Sequence, residues 1–335
     1  MTRAIDAHAH LFPPSARDAA RRGADWFGVR LELGDDGKPI IISGTERRVI
    51  QAVGHMADAG SRIAQMDASG VDVQILSLLP MVFGYALPSG VLADMASAVN
   101  DEIAAHIEEW PGRFLGFAFL PVTDTDAAVA ELERAMALPG FVGAEVGTNV
   151  RGASWDDDRL FPILEAAERL EALVFIHPAD VRARDLLFPK YYLRNAIGNP
   201  LETTTAAASL MFGGVLDRLP RLRLLLAHGG GYLSFGAGRL NRLRAVDASG
   251  PGRTTDMPED YVRRFLVDAL VHDERALRFL VDVMGSENVV LGTDFPADMG
   301  TEDGIAEVTA NAMLSETEKA LIIGGNLERE LANHL

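Results

Sequence analysis

Ala172-Leu173-Val174-Phe175-Ile176-His177 is an apolar run of strand length that ends on a histidine and is stopped by Pro178. A run apolar at every position, not at every second one, fits a strand covered on both faces, as in a parallel sheet flanked by helices. The same pattern recurs on either side. Residues 71–78, 114–120, 141–146, 222–228, 265–270 and 289–294 read as further strands, and residues 3–10 begin the series. Helical stretches separate them, over about 61–69, 90–109, 123–137, 158–171, 202–217, 232–245 and 274–283, with Thr123 or Asp124 as an N-cap. A last helix starts near Ser315, where Ser315-Glu316-Thr317-Glu318 has capping-box form. Eight strands, most followed by a helix, predict an α/β chain folded as a (β/α)8 TIM-like barrel. A doubly wound open sheet is the alternative, and it lacks a Gly-x-Gly-x-x-Gly after the first strand.

The length of 335 residues suits one such barrel spanning 1–335. Residues 11–60 are rich in Gly and Pro and read as an insertion between strand 1 and helix 1. Asp35-Asp36-Gly37-Lys38 forms a turn before Pro39-Ile40-Ile41-Ile42, which makes a small N-terminal hairpin.

Composition narrows the function. A net charge of −17 argues against nucleic acid as a partner, and an anionic substrate would need a locally basic pocket. With no cysteine, thiolate nucleophiles, disulfides and Cys-ligated zinc are excluded. No apolar stretch reaches membrane-spanning length and no signal-peptide pattern opens the chain, so the expected location is the cytoplasm.

Active sites of such barrels lie at the C-terminal ends of the strands. His8 and His10 end strand 1, His177 ends strand 5, His228 ends strand 6 and Asp294 ends strand 8. A His-x-His pair on a strand is a weak signal alone, although residues i and i+2 share a face. Four of the eight histidines at strand ends on one rim is a much stronger one. His106 falls within a helix, His334 in the tail and His55 in the insertion, while His272 follows strand 7 as a supporting or capping residue. Neutral imidazoles with a carboxylate suit Zn²⁺ or another first-row divalent ion. His8, His10, His177 and Asp294 are therefore assigned as ligands of one divalent metal ion, Zn²⁺ before Mn²⁺, with His228 as general acid or base beside it. Strand 4, Val142-Gly143-Ala144-Glu145-Val146, carries no lysine to bridge a second ion, though Glu145 offers a carboxylate.

Together these residues make the chain resemble the amidohydrolase superfamily, and within it the decarboxylases typified by aminocarboxymuconate semialdehyde decarboxylase. The resemblance runs over nearly the whole chain. It includes Ile5-Asp6-Ala7-His8-Ala9-His10, Arg62 to Asp67, Leu187 to Tyr192, Glu202-Thr203-Thr204, Met211 to Val215, Ala227 to Gly231, Asp268 to Asp273 and Leu291 to Pro296. It implies His8, His10, His177 and Asp294 as metal ligands and His228 as the catalytic histidine. It also implies that Arg239 reaches a substrate carboxylate across a homodimer interface, and that Arg48, or else Arg47, binds a second carboxylate. The chain departs from the family at Tyr192 and Asn195, where tryptophans are expected, and at Ala297, where an aromatic residue is expected. The pocket is therefore expected to be more polar, with Arg194 as an extra anion contact. The implied reaction is non-oxidative decarboxylation of an unsaturated or aromatic small-molecule carboxylate. Metal-dependent hydrolysis of an amide or lactone, hydration, and a barrel that merely binds metal are the rival readings.

Overall fold

The structure is a computed structural model that describes residues 2–35, 37–43, 46–50, 59–179, 181–182, 190–246, 254 and 256–334. Eight parallel strands form one sheet: β1 (Ile5–Leu11), β6 (Val73–Leu78), β7 (Phe114–Phe119), β8 (Phe141–Gly147), β9 (Leu173–His177), β10 (Arg223–Leu226), β11 (Phe265–Asp268) and β12 (Val289–Val290), paired in that order. The first and last strands meet through Ala7 N–H to Leu291 O at 2.9 Å, His10 N–H to Phe295 O at 2.7 Å and a parallel bridge between Ala9 and Phe295. The sheet thus closes into the expected (β/α)8 barrel.

The strands are apolar on both faces because each face is covered. Ile5, Val73, Ile75, Leu115, Phe117, Phe175 and Leu225 fill the interior in a compact cluster. Leu76, Leu78, Phe119, Ile176, Leu224 and Leu226 face outward against the helices, in a larger cluster. Helices are set where the sequence signals them: Asp124 caps the helix Thr125–Met136 by accepting from Ala127 N–H, and Ser315 and Glu318 form a capping box.

Three strands end earlier than their apolar runs, each for a local reason. β11 stops at Asp268 because its own carboxylate accepts Leu270 N–H at 3.2 Å and turns the chain. β10 stops at Leu226 because His228 adopts a left-handed backbone, φ +57°. β12 stops at Val290 because Leu291 N–H bonds to Ile322 O at 2.7 Å instead of to the sheet, and Asp294 is left-handed at φ +55°. The helix expected over 202–217 breaks at Gly213-Gly214 into Asn199–Phe212 and Val215–Arg218.

The insertion is richer than a hairpin. A helix at Pro14–Arg22, which the sequence reading does not assign, is followed by a four-stranded antiparallel sheet of β2 (Asp25–Trp26), β3 (Val29–Leu33), β4 (Pro39–Ser43) and β5 (Glu46–Val49). The hairpin is its central pair, with Leu33 opposite Pro39; Asp36 of the turn and His55 lie outside the described residues. Proline at the first helical position and Gly23 as a left-handed C-cap were the signals available for the helix.

Phe175 is fully buried at the top of the interior cluster, 4.9 Å from the His8 ring and 5.6 Å from that of Phe117. Phe175→Ala should cost ~3–5 kcal/mol through the cavity it leaves, read as a lower midpoint in urea unfolding. A midpoint at the wild-type value would mean that the interior is not packed through this ring.

Candidate metal centre

The strand that carries the first two histidines is not regular. Its pairing with β6 matches Ile5 with Val73 and Asp6 with Gln74, then resumes with Ala9 against Leu76 and His10 against Ser77. Ala7 and His8 together oppose the single residue Ile75, which makes a β-bulge. Ile5 and Ala7 therefore join the barrel interior, and the His8 and His10 rings come together. Simple alternation would have put Asp6 on the histidine face. The bulge turns it instead toward Gln74, which donates to it at 3.0 Å.

The His8 and His10 Nε2 atoms lie 3.2 Å apart. Asp294 Oδ1 is 3.3 Å from the first and 3.1 Å from the second. The His177 ring lies 5.0 Å from that of His8 and 4.8 Å from that of His10, and its buried Nε2 has no hydrogen-bond partner among the described residues. One ligand atom from each of these four side chains lies within 4.8 Å of the others, and all four side chains are buried.

The far side of each ring is already engaged. His8 Nδ1 donates to Asp268 Oδ2 at 2.7 Å, His10 Nδ1 meets Ser77 Oγ at 3.1 Å and His177 Nδ1 meets the Pro178 carbonyl at 3.1 Å. Such contacts fix the tautomer that leaves the Nε2 lone pair for a cation. Three buried imidazole lone pairs and a carboxylate oxygen pointed at one spot would be costly without a cation. The donor set therefore fits a divalent ion with imidazole and oxygen ligands.

Electrostatics follow the same geometry. Burial opposes a charge on His8, but Asp294 and Asp268 outweigh it and carry its pKa up to about 10. Burial dominates at His10, pushing it down to about 4, and at His177, pushed well below the usual imidazole range. Burial opposes the Asp294 charge too, yet His8, His10 and His228 hold that carboxyl well below its ordinary value. Glu145, at the fourth barrel strand, lies 3.7 Å from His10 Nδ1, and burial raises it well above the carboxylate range.

His228 stands at the edge of the cluster. Its Nε2 is 3.4 Å from Asp294 Oδ2, the oxygen turned away from His8 and His10, and it is more accessible than the other three histidines. The turn after it is tightly constrained. A Cβ on Gly231, at φ +66°, would fall 2.1 Å from the Pro200 carbonyl oxygen. His228 also lines a cavity of about 350 Å³ with Asn195, Asn199, Tyr232, His272 and Met299.

The expected substrate contacts are less converged. Tyr192, half-exposed, donates to Asp298 Oδ1 at 3.1 Å, just beyond Asp294 in the chain. Arg194 opens a single π-helical turn, Arg194–Gly198, and is not among the residues lining that cavity. Arg239 is exposed on the helix Leu233–Val246. Arg47 is exposed and paired with Glu32 at 3.0 Å; the side chain of Arg48 and residues 187–189 lie outside the described residues. The residues that sequence reasoning passes over are the supports, Ser77, Asp268 and Asp6. Polar residues at strand positions that face a covered sheet were the signal.

The chain matches the amidohydrolase family over residues 5–329. The chain belongs to that family. It is 37% identical over 334 residues to 2-amino-3-carboxymuconate-6-semialdehyde decarboxylase of Dictyostelium discoideum, covering 96% of this chain and 89% of that one. Its fold overlays that of 5-carboxyvanillate decarboxylase from Sphingomonas paucimobilis at a TM-score of 0.84 and 27% identity, covering 99% of each chain. A dihydroxybenzoic acid decarboxylase from Polaromonas sp. JS666, solved with bound manganese, shares the fold at a TM-score of 0.83 and 22% identity, over 100% of this chain and 98% of that one. This amidohydrolase is thus a metal-dependent carboxy-lyase. Among its described residues no helix is long and apolar enough to cross a membrane.

A pH dependence follows from His8. With its pKa at about 10 in the metal-free protein, His8 must lose its Nε2 proton to bind an ion. Affinity for added Zn²⁺ should therefore rise with pH, by up to about tenfold per unit below 10, with about one proton released per ion. Calorimetry in buffers of different ionisation enthalpy measures that proton; pH-independent binding would contradict the assignment.

Proposed function

We propose that the protein removes CO₂, without an oxidant, from an unsaturated or aromatic carboxylic acid at a mononuclear metal centre. The observation that carries this is the convergence of the His8, His10 and His177 rings and Asp294 Oδ1 on one spot, with His228 on the other oxygen of the same aspartate. His8, His10, His177 and Asp294 hold the ion. Zn²⁺ suits three imidazoles and a carboxylate, with Mn²⁺, present in the Polaromonas relative, as the alternative. The absence of a lysine from the fourth strand supports one ion, not two, although Glu145 offers a carboxylate there.

When bound, the ion acts as a Lewis acid on substrate oxygens. The rest of the reaction falls to the chain's own side chains. Asp294 Oδ2 orients His228 Nε2, which delivers a proton to the carbon bearing the carboxylate. That carbon becomes tetrahedral; the electrons of its bond to the carboxylate then return to the adjoining π system and CO₂ leaves. Arg48 and Arg239 hold carboxylates, with Tyr192 and Arg194 as further substrate contacts.

A homodimer brings Arg239 into play. Arg239 lies four residues after Phe235 and four before Leu243, so the three share one face of their helix. Phe235 is 86% exposed, and Leu243 and Val246 are also exposed on the same helix. So large an apolar face is the kind that another subunit covers.

His228→Ala should keep its metal content and lose at least about 100-fold in kcat for CO₂ release. The assay screens 2-amino-3-carboxymuconate semialdehyde and hydroxylated benzoates, beside lactones and amides followed by acid release. Full activity in the variant would remove His228 from the chemistry, and acid release without CO₂ would favour hydrolysis.

A further inference from the structure

One buried group contacts both halves of the site and is neither a ligand nor a base. Asp268 ends β11 with no exposed surface. Its Oδ2 accepts from His8 Nδ1 at 2.7 Å and from the His228 backbone N–H at 2.8 Å. Its Oδ1 accepts from the Gly229 N–H at 2.8 Å and the Leu270 N–H at 3.2 Å. We propose that Asp268 is a positioning residue that couples the two: one carboxylate sets the metal-binding tautomer of His8 and fixes the backbone that aims His228. The proposal rests on the roles given above to His8 and His228.

The argument for the second function is that the His228 side chain makes no strong hydrogen bond of its own. Its Nδ1 is buried without a hydrogen-bond partner among the described residues, its Nε2 makes only the 3.4 Å approach to Asp294, and its ring otherwise meets the edges of the His8 and His177 rings at 5.3 and 5.1 Å. None of these contacts fixes where the ring starts from, so the backbone decides whether His228 Nε2 can reach Asp294. That backbone is in the left-handed region at φ +57°, which a bulky side chain adopts only when its surroundings impose it. Asp268 imposes it by taking two successive N–H groups, those of His228 and Gly229. The turn has no room to relax, since a Cβ on Gly229 would lie 2.6 Å from Val271 Cγ1.

All four contacts are made by donors, so the side chain must accept at every lone pair it uses. An ionised carboxylate does this; the isosteric amide does not. In Asp268→Asn, an amide NH₂ turned toward His8 would meet Nδ1 as a donor, favour the opposite tautomer and place a proton on Nε2. It would also face the His228 N–H. Turned the other way, it would face the N–H groups of Gly229 and Leu270. Either orientation damages the turn that carries His228, and one of them also disables a metal ligand.

The test uses Asp268→Asn in the full chain. Zn²⁺ or Mn²⁺ titrated into metal-free protein should bind about 10–100-fold more weakly than to wild type. Amide exchange in the metal-free variant should show lost protection at His228 and Gly229, while Leu225 and Leu226 of β10 stay protected. With saturating metal, kcat should remain at least about tenfold down and KM within about twofold, because the proton donor His228, not substrate binding, is displaced. Wild-type metal affinity, or recovery of full kcat once metal is saturating, overturns the coupling. If the variant does not fold, ¹⁵N-histidine labelling of the wild-type holoprotein decides: His8 should carry its proton on Nδ1, and a proton absent from Nδ1 overturns the proposal. Turnover surviving in His228→Ala would instead defeat the functional reading and leave the amide and metal results standing.

Discussion

Closure of the barrel between its first and last strands is the constraint on which the site depends. Asp294 is almost three hundred residues from His8, and they meet because Ala7 and His10 donate backbone hydrogen bonds to Leu291 and Phe295. The seam is short, and β12 itself pairs over only two residues. A buried acid reinforces it. Asp6 accepts from His8 N–H and Thr293 N–H at 3.1 Å each, from Thr293 Oγ1 at 2.6 Å and from Gln74 at 3.0 Å. Arg62 lies behind it, donating to Gln74 and to the His10 carbonyl and resting over the Phe295 ring. The β-bulge in β1 makes this possible, since it sends Asp6 to the seam while the next residues feed the metal pocket.

Two buried carboxylates thus hold the two edges of the site, Asp6 at the seam and Asp268 between β10 and β11. Each is a strand residue whose oxygens accept backbone N–H groups from a neighbouring strand end. The cost of burying such charges is met by the number of donors directed at them. At Asp268 the donors prevail: burial pushes its carboxyl up, but His8 and the Gly229 N–H bring it below the ordinary value. At Asp6 burial prevails and the carboxyl is raised, despite Thr293 and Gln74.

The barrel was legible in the sequence because its strands are apolar on both faces, a pattern that half-exposed antiparallel strands do not give. The strand ends were less so. The apolar runs continue to His228, Leu270 and Asp294, but the regular strands end at Leu226, Asp268 and Val290, because the residues that follow are bent into the site. The metal-site candidates could be read because their chemistry is distinctive at those positions. The supports could not, since Ser77, Asp268 and Asp6 become partners of the histidines only through register, and the bulge in β1 shifts that register. The small sheet was half visible for a related reason. β3 and β4 are long enough to alternate, while β2 spans two residues and leaves no periodic trace.

The acidity of the chain sets a last condition on the site. With a net charge of −17, the protein as a whole repels a carboxylate, so attraction must be local. The described geometry keeps negative charge in the site low. Burial raises the Glu145 carboxyl well above its ordinary value, which opposes a charge beside His10. Asp268 is charged, but each oxygen is already directed at two N–H donors and away from the mouth. Asp294 is the one carboxylate in the candidate ligand set, and a single carboxylate charge does not cancel that of a divalent cation. Local attraction for a carboxylate therefore depends on the burial that opposes a charge on Glu145 and on the hydrogen bonds that occupy Asp268, and not on composition.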